Sequence, residues 1–240
     1  MEKENKVEFK VYGKYALFTD PLTKIGGEKC TYQIPTYEAL KGVLSSVYWK
    51  PTIVWVIDRM RVKKHIRTQT RSAKPIDFSG GNSLAIYTYL ADVEYQVQAH
   101  FEWNMNRKDM AEDRNENKHY FVAKRMIERG GRRDVFLGAR ECQGYVEPCK
   151  FGEGQGFYDN YDELSFGVMF HGFDYPDEFG KKEFHSRFWK TKMIDGVVTF
   201  PRPEACPYRK FIRSMKPQEI QTVGLNEESL LEGFEEEIAQ

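Results

Sequence analysis

Glu94-Tyr95-Gln96-Val97-Gln98-Ala99-His100-Phe101-Glu102-Trp103 alternates polar and apolar residues without a break. A side-chain period of two belongs to a β-strand, with Tyr95, Val97, Ala99, Phe101 and Trp103 on one face. Glu94, Gln96, Gln98, His100 and Glu102 fall on the other face, and the aromatics of the first read as core. Residues 52–57 and 62–70 precede it as further strands, separated from it by the turn Ser79-Gly80-Gly81-Asn82-Ser83. Before those comes a helix with Thr36 as N-cap and Glu38 in its first turn. Leu40, Val43, Leu44 and Val47 give that helix an apolar stripe, and Pro51 ends it. Residues 7–13 alternate again and read as the first strand.

Past Trp103, residues 104–117 are polar, charged and without period, as a loop would be. A second helix is predicted over residues 120–129, stopped by Gly130-Gly131 as a left-handed C-cap, and residues 136–146 as a strand. The order is βαββαβ, which predicts an α+β chain with a ferredoxin-like N-terminal domain. After Pro148 the composition changes to Gly152, Gly154, Gly156 and strands near 164–170 and 184–193. We therefore expect three regions: a domain over 1–148, a smaller antiparallel β-rich part over 149–225, and an acidic tail over 226–240.

Apolar residues make up 40% of the 240-residue chain and charged residues 30%, which excludes a disordered chain, a collagen-like repeat or a coiled-coil rod. No apolar run approaches the roughly 18 residues a membrane span needs, and Met1 to Lys6 lacks a signal-peptide core, so a cytoplasmic location is expected. Cys30, Cys142, Cys149 and Cys206 are scattered and read as small buried residues. The five histidines have no carboxylate at ligand spacing, so neither a metal nor another cofactor is expected. Gly152-Glu153-Gly154-Gln155-Gly156 lacks the strand-to-helix context of a dinucleotide loop.

Basic and acidic residues balance at 36 each, yet they are segregated along the chain. Arg59, Arg61, Lys63, Lys64, Arg67, Arg71 and Lys74 follow one another with no acid between, while the last 15 residues hold six acids and no base. A second basic stretch runs from Arg114 to Arg140. Segregation of this kind suits an anionic polymer, although the same charges spread over several faces would cancel locally. Lys118-His119 stands before the second helix, where a helix N-terminus suits a phosphate, a histidine can move protons and a lysine can neutralise charge. Two exposed loop residues would look the same in sequence. Arg129-Gly130-Gly131-Arg132-Arg133-Asp134 has two readings as well: a phosphate clamp, or a helix stop whose arginines pair with Asp134.

Several longer blocks carry a family resemblance. They are Ala16-Leu17-Phe18-Thr19-Asp20-Pro21, Pro35-Thr36-Tyr37-Glu38-Ala39-Leu40-Lys41-Gly42, the run from Gly130 through Cys142, and Phe166-Gly167-Val168-Met169-Phe170-His171. With these the chain resembles the CRISPR-associated Cas-five family, Dvulg subtype, of type I-C systems. The resemblance implies an RRM-like, RAMP-type ferredoxin domain with a β-rich second part. It also implies an endonuclease that cuts repeat hairpins of precursor crRNA without metal and then stays on the 5′ handle within the Cascade complex. The implied catalytic residues are Tyr48, Lys118 and His119. From the two basic stretches, Arg129, Gly130, Gly131, Arg132, Arg133, Arg67 and Lys64 are the candidate RNA contacts. The implied partners are the repeat hairpin, mature crRNA and other Cascade subunits, with duplex DNA as a further partner to test and no membrane. A non-catalytic handle-binding scaffold is the alternative.

Overall fold

The computed structural model describes residues 5–21, 23, 28–76, 78–81 and 83–217; the acidic tail predicted over 226–240 and Asn82 of the predicted turn lie outside them. The chain folds around one mostly antiparallel sheet whose middle is built as the alternation demands. β1 (Lys6–Ala16), β3 (Ile53–Val62) and β5 (Ala85–Trp103) lie side by side with β5 between the other two. In register, Phe9, Val97 and Met60 sit abreast, and all three are fully buried. The sheet continues from β1 to β7 (Gln143–Pro148) and the short β6 (Val135–Phe136), and from β3 to β10 (Val197–Thr199), β9 (Glu183–Ile194) and β11 (Tyr208–Ser214). β2 (Lys29–Cys30) and β4 (Thr68–Ala73) pair with the first half of β5, and β8 (Glu163–Asp174) pairs with β9.

Two helices cover one face. α1 (Tyr37–Val47) packs on β3 and β8, and α2 (Glu116–Glu128) packs on β7 and β1. Thr36 caps α1 as the sequence predicts, its side chain accepting from the Ala39 amide at 3.2 Å. The stripe of Leu40, Val43, Leu44 and Val47 is wholly buried, so truncating Leu44 to alanine should cost about 2–5 kcal/mol. A third helix, α3 (Pro176–Phe179), is a single turn.

Four sequence expectations are corrected. α1 ends at Val47, four residues before Pro51. α2 begins at Glu116 because Asn115 caps it, so the predicted loop over 104–117 is shorter and itself holds a 3-10 segment, Lys108–Asp113. The predicted strands over 52–57 and 62–70 are one strand, β3, followed by a connector and β4. A bulge between Ile57 and Arg59 carries β3 past its charged middle. The predicted strand over 136–146 is two short strands, because Gly138 turns the chain at φ +90°, where a Cβ would stand 2.1 Å from the Leu17 carbonyl oxygen.

The polar face of β5 is also covered. Gln96, Gln98 and His100 are all buried, and residues 149–159, the stretch containing the glycine run, close over Gln96. Gln96 accepts from the Gly152 amide at 3.0 Å and donates to the Glu153 carbonyl at 2.8 Å, and Arg61 forks onto Asp159 at 2.6 and 2.9 Å. Glycines there let a strap lie flat on the sheet, with its amides satisfied by the sheet's side chains.

The N-terminal end of α1 meets a second buried cluster. Tyr37 stacks on His171 with ring centroids 4.1 Å apart, and Arg187, 1% exposed, pairs with Asp174. Arg187 donates to the Phe173 carbonyl at 2.8 Å and to His171 Nδ1 at 3.4 Å, while His171 Nε2 donates to the Pro201 carbonyl at 3.1 Å. Burial and the Arg187 charge push the His171 imidazole down to about 3.

Candidate active site

Tyr48 is the C-cap of α1, and its backbone is fixed from both sides. Its amide donates to the Leu44 carbonyl at 2.8 Å, and its carbonyl accepts from the Trp55 indole of β3 at 2.7 Å. Its side chain turns inward, where the hydroxyl lies 2.7 Å from His119 Nδ1. His119, in the first turn of α2, has no exposed surface. Phe101 and Trp103 form the floor under its ring, with centroids 6.0 and 5.6 Å away in edge-to-face geometry. The apolar face of the alternating stretch therefore ends directly beneath the candidate catalytic histidine.

The other imidazole nitrogen, Nε2, is 2.7 Å from the Asp113 backbone carbonyl. A carbonyl only accepts, so Nε2 carries the proton, and in the neutral ring Nδ1 accepts from the Tyr48 hydroxyl. The Asp113 carboxylate draws the cluster together, receiving Lys118 Nζ at 2.5 Å and Thr52 Oγ1 at 2.6 Å, with His119 Nε2 at 3.5 Å. The hydrogen bonds from Lys118 and Thr52 hold the Asp113 carboxyl below the usual carboxylate range. Burial, with the Asp113 charge adding to it, pushes the Tyr48 phenol up to about 12. Tyr48 is therefore a hydrogen-bonding partner near neutral pH and not a base.

Tyr48, Lys118 and His119, separated by about seventy residues of chain, thus meet in one cluster. The sequence expectation that Lys118 and His119 precede the helix is corrected: both lie in its first turn. The Lys118 amide, a candidate phosphate donor, is instead taken by the Asn115 side chain at 3.0 Å. Asp113 and Thr52 were not singled out in the sequence, where Asp113 is one acid among several in a stretch without period. Asn115 did leave a signal, an asparagine just ahead of an acidic first turn.

The basic run after α2 lies beside this cluster. Gly130 adopts φ +81°, so the chain leaves the helix in the left-handed conformation the sequence predicts. It then returns along α1, with the Arg132 amide on the Val47 carbonyl at 3.2 Å and the Arg133 amide on the Ser46 carbonyl at 3.1 Å. Both side chains are exposed and line a cleft of about 250 Å³ with Ser45, Ser46 and Trp49. Among the described residues, neither guanidinium forms an ion pair, with Asp134 or any other acid. Arg129 is exposed at the same corner.

Lys64 and Arg67 are placed differently. Both pair with Asp92, at 2.7 and 3.2 Å, and no contact joins either to the Tyr48 cluster. Most of the first basic stretch is engaged in the same way: Arg59 donates to Gln98, Arg61 to Asp159 and Lys63 to the Glu153 carbonyl. Burial pushes the thiols of Cys142, Cys149 and Cys206 up to about 11, so none of the three is activated. Among the described residues no group of three His, Cys, Asp or Glu side chains is arranged to hold a metal ion, and no helix is long and apolar enough to cross a membrane.

Known proteins share this fold. A solved structure described as a CRISPR-associated protein superposes with a TM-score of 0.70 at 34% identity, covering 85% of this chain and 96% of that one. The functionally uncharacterized protein SMU1763c from Streptococcus mutans does so with a TM-score of 0.68 and the same identity and coverage. Two curated relatives are each named CRISPR pre-crRNA endoribonuclease Cas5d. The one from Mannheimia succiniciproducens is 41% identical over 66 residues, 28% of each chain. The one from Thermus thermophilus is 26% identical over 153 residues, 60% of this chain and 64% of the relative. The matched segments thus span less than two thirds of either curated relative. The family described as CRISPR-associated protein (Cas_Cas5) matches residues 7–201, from β1 through β10, and the chain belongs to that family.

Proposed function

We propose that this protein is an endoribonuclease that cuts the repeat hairpins of precursor CRISPR RNA. The observation that carries the reading is the convergence of Tyr48, Lys118 and His119, with Tyr48 Oη 2.7 Å from the imidazole. The names of both curated relatives support it. In this reading the ribose 2′-hydroxyl attacks the adjacent phosphorus while the P–O5′ bond breaks, giving a 2′,3′-cyclic phosphate and a 5′-hydroxyl. His119 accepts the 2′-hydroxyl proton or hands a proton to the departing 5′-oxygen. Lys118 neutralises charge on the phosphorane. Tyr48, neutral near pH 7, orients the ring. When Nδ1 takes a proton, the Tyr48 hydroxyl can reverse from donor to acceptor. Arg132 and Arg133 grip the backbone beside the cut.

His119 is fully buried and Lys118 is bound to Asp113, so catalysis requires the Asp113 contacts to open as a phosphate replaces that carboxylate. The same burial favours the second reading, a non-catalytic subunit that clamps the 5′ handle of crRNA. The wider reading retains the cytoplasmic location, the Cascade partners and duplex DNA as a test ligand. It also treats α1, α2 and the β3-β5-β1-β7 order as a ferredoxin-like unit over residues 1–148, with a β-rich part over 149–225.

The experiment is incubation of the purified protein with labelled repeat-hairpin RNA in EDTA, beside a substrate carrying a 2′-deoxy at the cut. Cleavage of the ribose substrate alone, ending in a cyclic phosphate, is the expected result. Tight binding of both RNAs with neither cut replaces the endonuclease by the clamp. Cleavage that appears only when a divalent ion is restored would refute the side-chain mechanism.

A further inference from the structure

We propose that Trp49 is a stacking platform for an unpaired nucleobase beside the phosphate held at Arg132 and Arg133; the proposal rests on RNA being the ligand of this site. The C-cap Tyr48 has extended backbone (φ −156°, ψ 125°), and in extended chain successive side chains point to opposite sides. Tyr48 turns inward to His119, so Trp49 turns outward, and the residue is 49% exposed. It separates two clefts. One is the basic cleft of about 250 Å³ with the two unpaired arginines. The other, about 160 Å³, has apolar walls of Trp49, Pro51, Ile53 and Tyr175.

The polar groups around the second cleft are already engaged. Arg107 is paired with Asp109, Glu178 with Lys41, and the Asn104 amide donates to the Asp177 carbonyl at 3.0 Å. What the cleft chiefly offers a base is therefore the apolar surface of Trp49, Pro51, Ile53 and Tyr175. Cationic groups without partners on one side of an exposed indole, and aromatic walls on the other, match the repeat of a nucleic-acid strand: phosphate, then base. A protein partner would find two unpaired arginines at the rim with nothing on this face to select it. Stacking accepts any base, because every base has a π-face, so Trp49 contributes affinity and placement and leaves sequence choice to other residues.

The test uses the full chain, with a fluorescein-labelled RNA of twelve uridines and an abasic strand of the same length and charge. Trp49→Ala is expected to weaken uridine-strand binding roughly 5- to 100-fold, to leave abasic-strand binding unchanged, and to leave the salt slope as in the parent. Trp49→Phe should recover most of the affinity, because a smaller ring still stacks. Equal loss on both strands, no loss on either, or a parent that fails to bind the uridine strand would each overturn the proposal. Because the readout is binding, a parent that binds this way yet never cuts a repeat hairpin removes the endonuclease reading and leaves the platform standing.

Discussion

Helix α1 has a tyrosine at each end, and each tyrosine meets a buried histidine. At the start, Tyr37 stacks on His171; at the end, Tyr48 hydrogen-bonds His119. Both imidazoles have no exposed surface, and both donate from Nε2 to a backbone carbonyl. They differ in what faces Nδ1. His171 faces Arg187, a cation that can only donate, so a proton on Nδ1 would meet both a charge and a missing acceptor. His119 faces a hydroxyl that can turn from donor to acceptor, with a carboxylate and a lysine alongside. Burial alone does not separate a structural histidine from a chemical one. In the proposed mechanism the distinction lies in the partner's ability to reverse its hydrogen bond.

The comparison can be broken most directly by removing each ring. His119→Ala should lower single-turnover cleavage by about a hundredfold or more, whereas His171→Ala should leave the rate per folded molecule unchanged. His171→Ala should instead cost about 3 kcal/mol of stability through the emptied space under Tyr37, read as a shifted denaturation midpoint. Equal rate losses in both variants, after correction for folded fraction, would erase the distinction. Tyr48→Phe keeps the ring and removes only the reversible hydroxyl, and should slow cleavage by about tenfold. A rate matching the parent would show that the hydroxyl does not hold His119 for chemistry.

Acid stability sharpens the contrast. The folded-state value of His171 is depressed to about 3 against an ordinary 6.5. Between these values the unfolded chain binds a proton that the folded chain refuses, so the stability His171 confers is present above pH 6.5 and is lost as pH falls toward 3. Denaturation followed from pH 7 to 4 should therefore show a steeper loss in the parent than in His171→Gln. Parallel curves would mean that His171 does not titrate this way.

The smallest expected effect concerns the two basic stretches. Arg132→Ala or Arg133→Ala should lower the slope of log affinity against log salt by about 1, since each would release one phosphate contact. Lys64→Ala and Arg67→Ala should leave it unchanged, because their charges already face Asp92. Equal slopes across all four variants would remove Arg132 and Arg133 from the RNA path.

The strands and helices were legible wherever a local period existed. Residues 94–103 gave the second half of β5 and its apolar face, and the Leu40 to Val47 stripe with Thr36 gave α1. Gly130 was readable as a helix stop because only a residue tolerant of positive φ is stable there. Where the period broke, at Asp58-Arg59 or across Gly138, boundaries slipped, because bulges and close approaches depend on residues far along the chain. Lys118-His119 was visible as a candidate pair but indistinguishable from an exposed loop, and Tyr48 came from family resemblance alone.

What the sequence by itself determined was the set of elements: a two-residue period, a helical stripe and a few caps, all governed by neighbours within one or two turns. Only the tertiary structure decided which charges remain free. Asp92 pairs with both Lys64 and Arg67 across 25 or more residues, while the return of residues 130–133 along α1 leaves Arg132 and Arg133 without an ion pair among the described residues. It also decided which histidine meets a hydroxyl and which a guanidinium. Coulomb forces and hydrogen bonds act over a few ångströms in space, and a linear spacing does not record that distance.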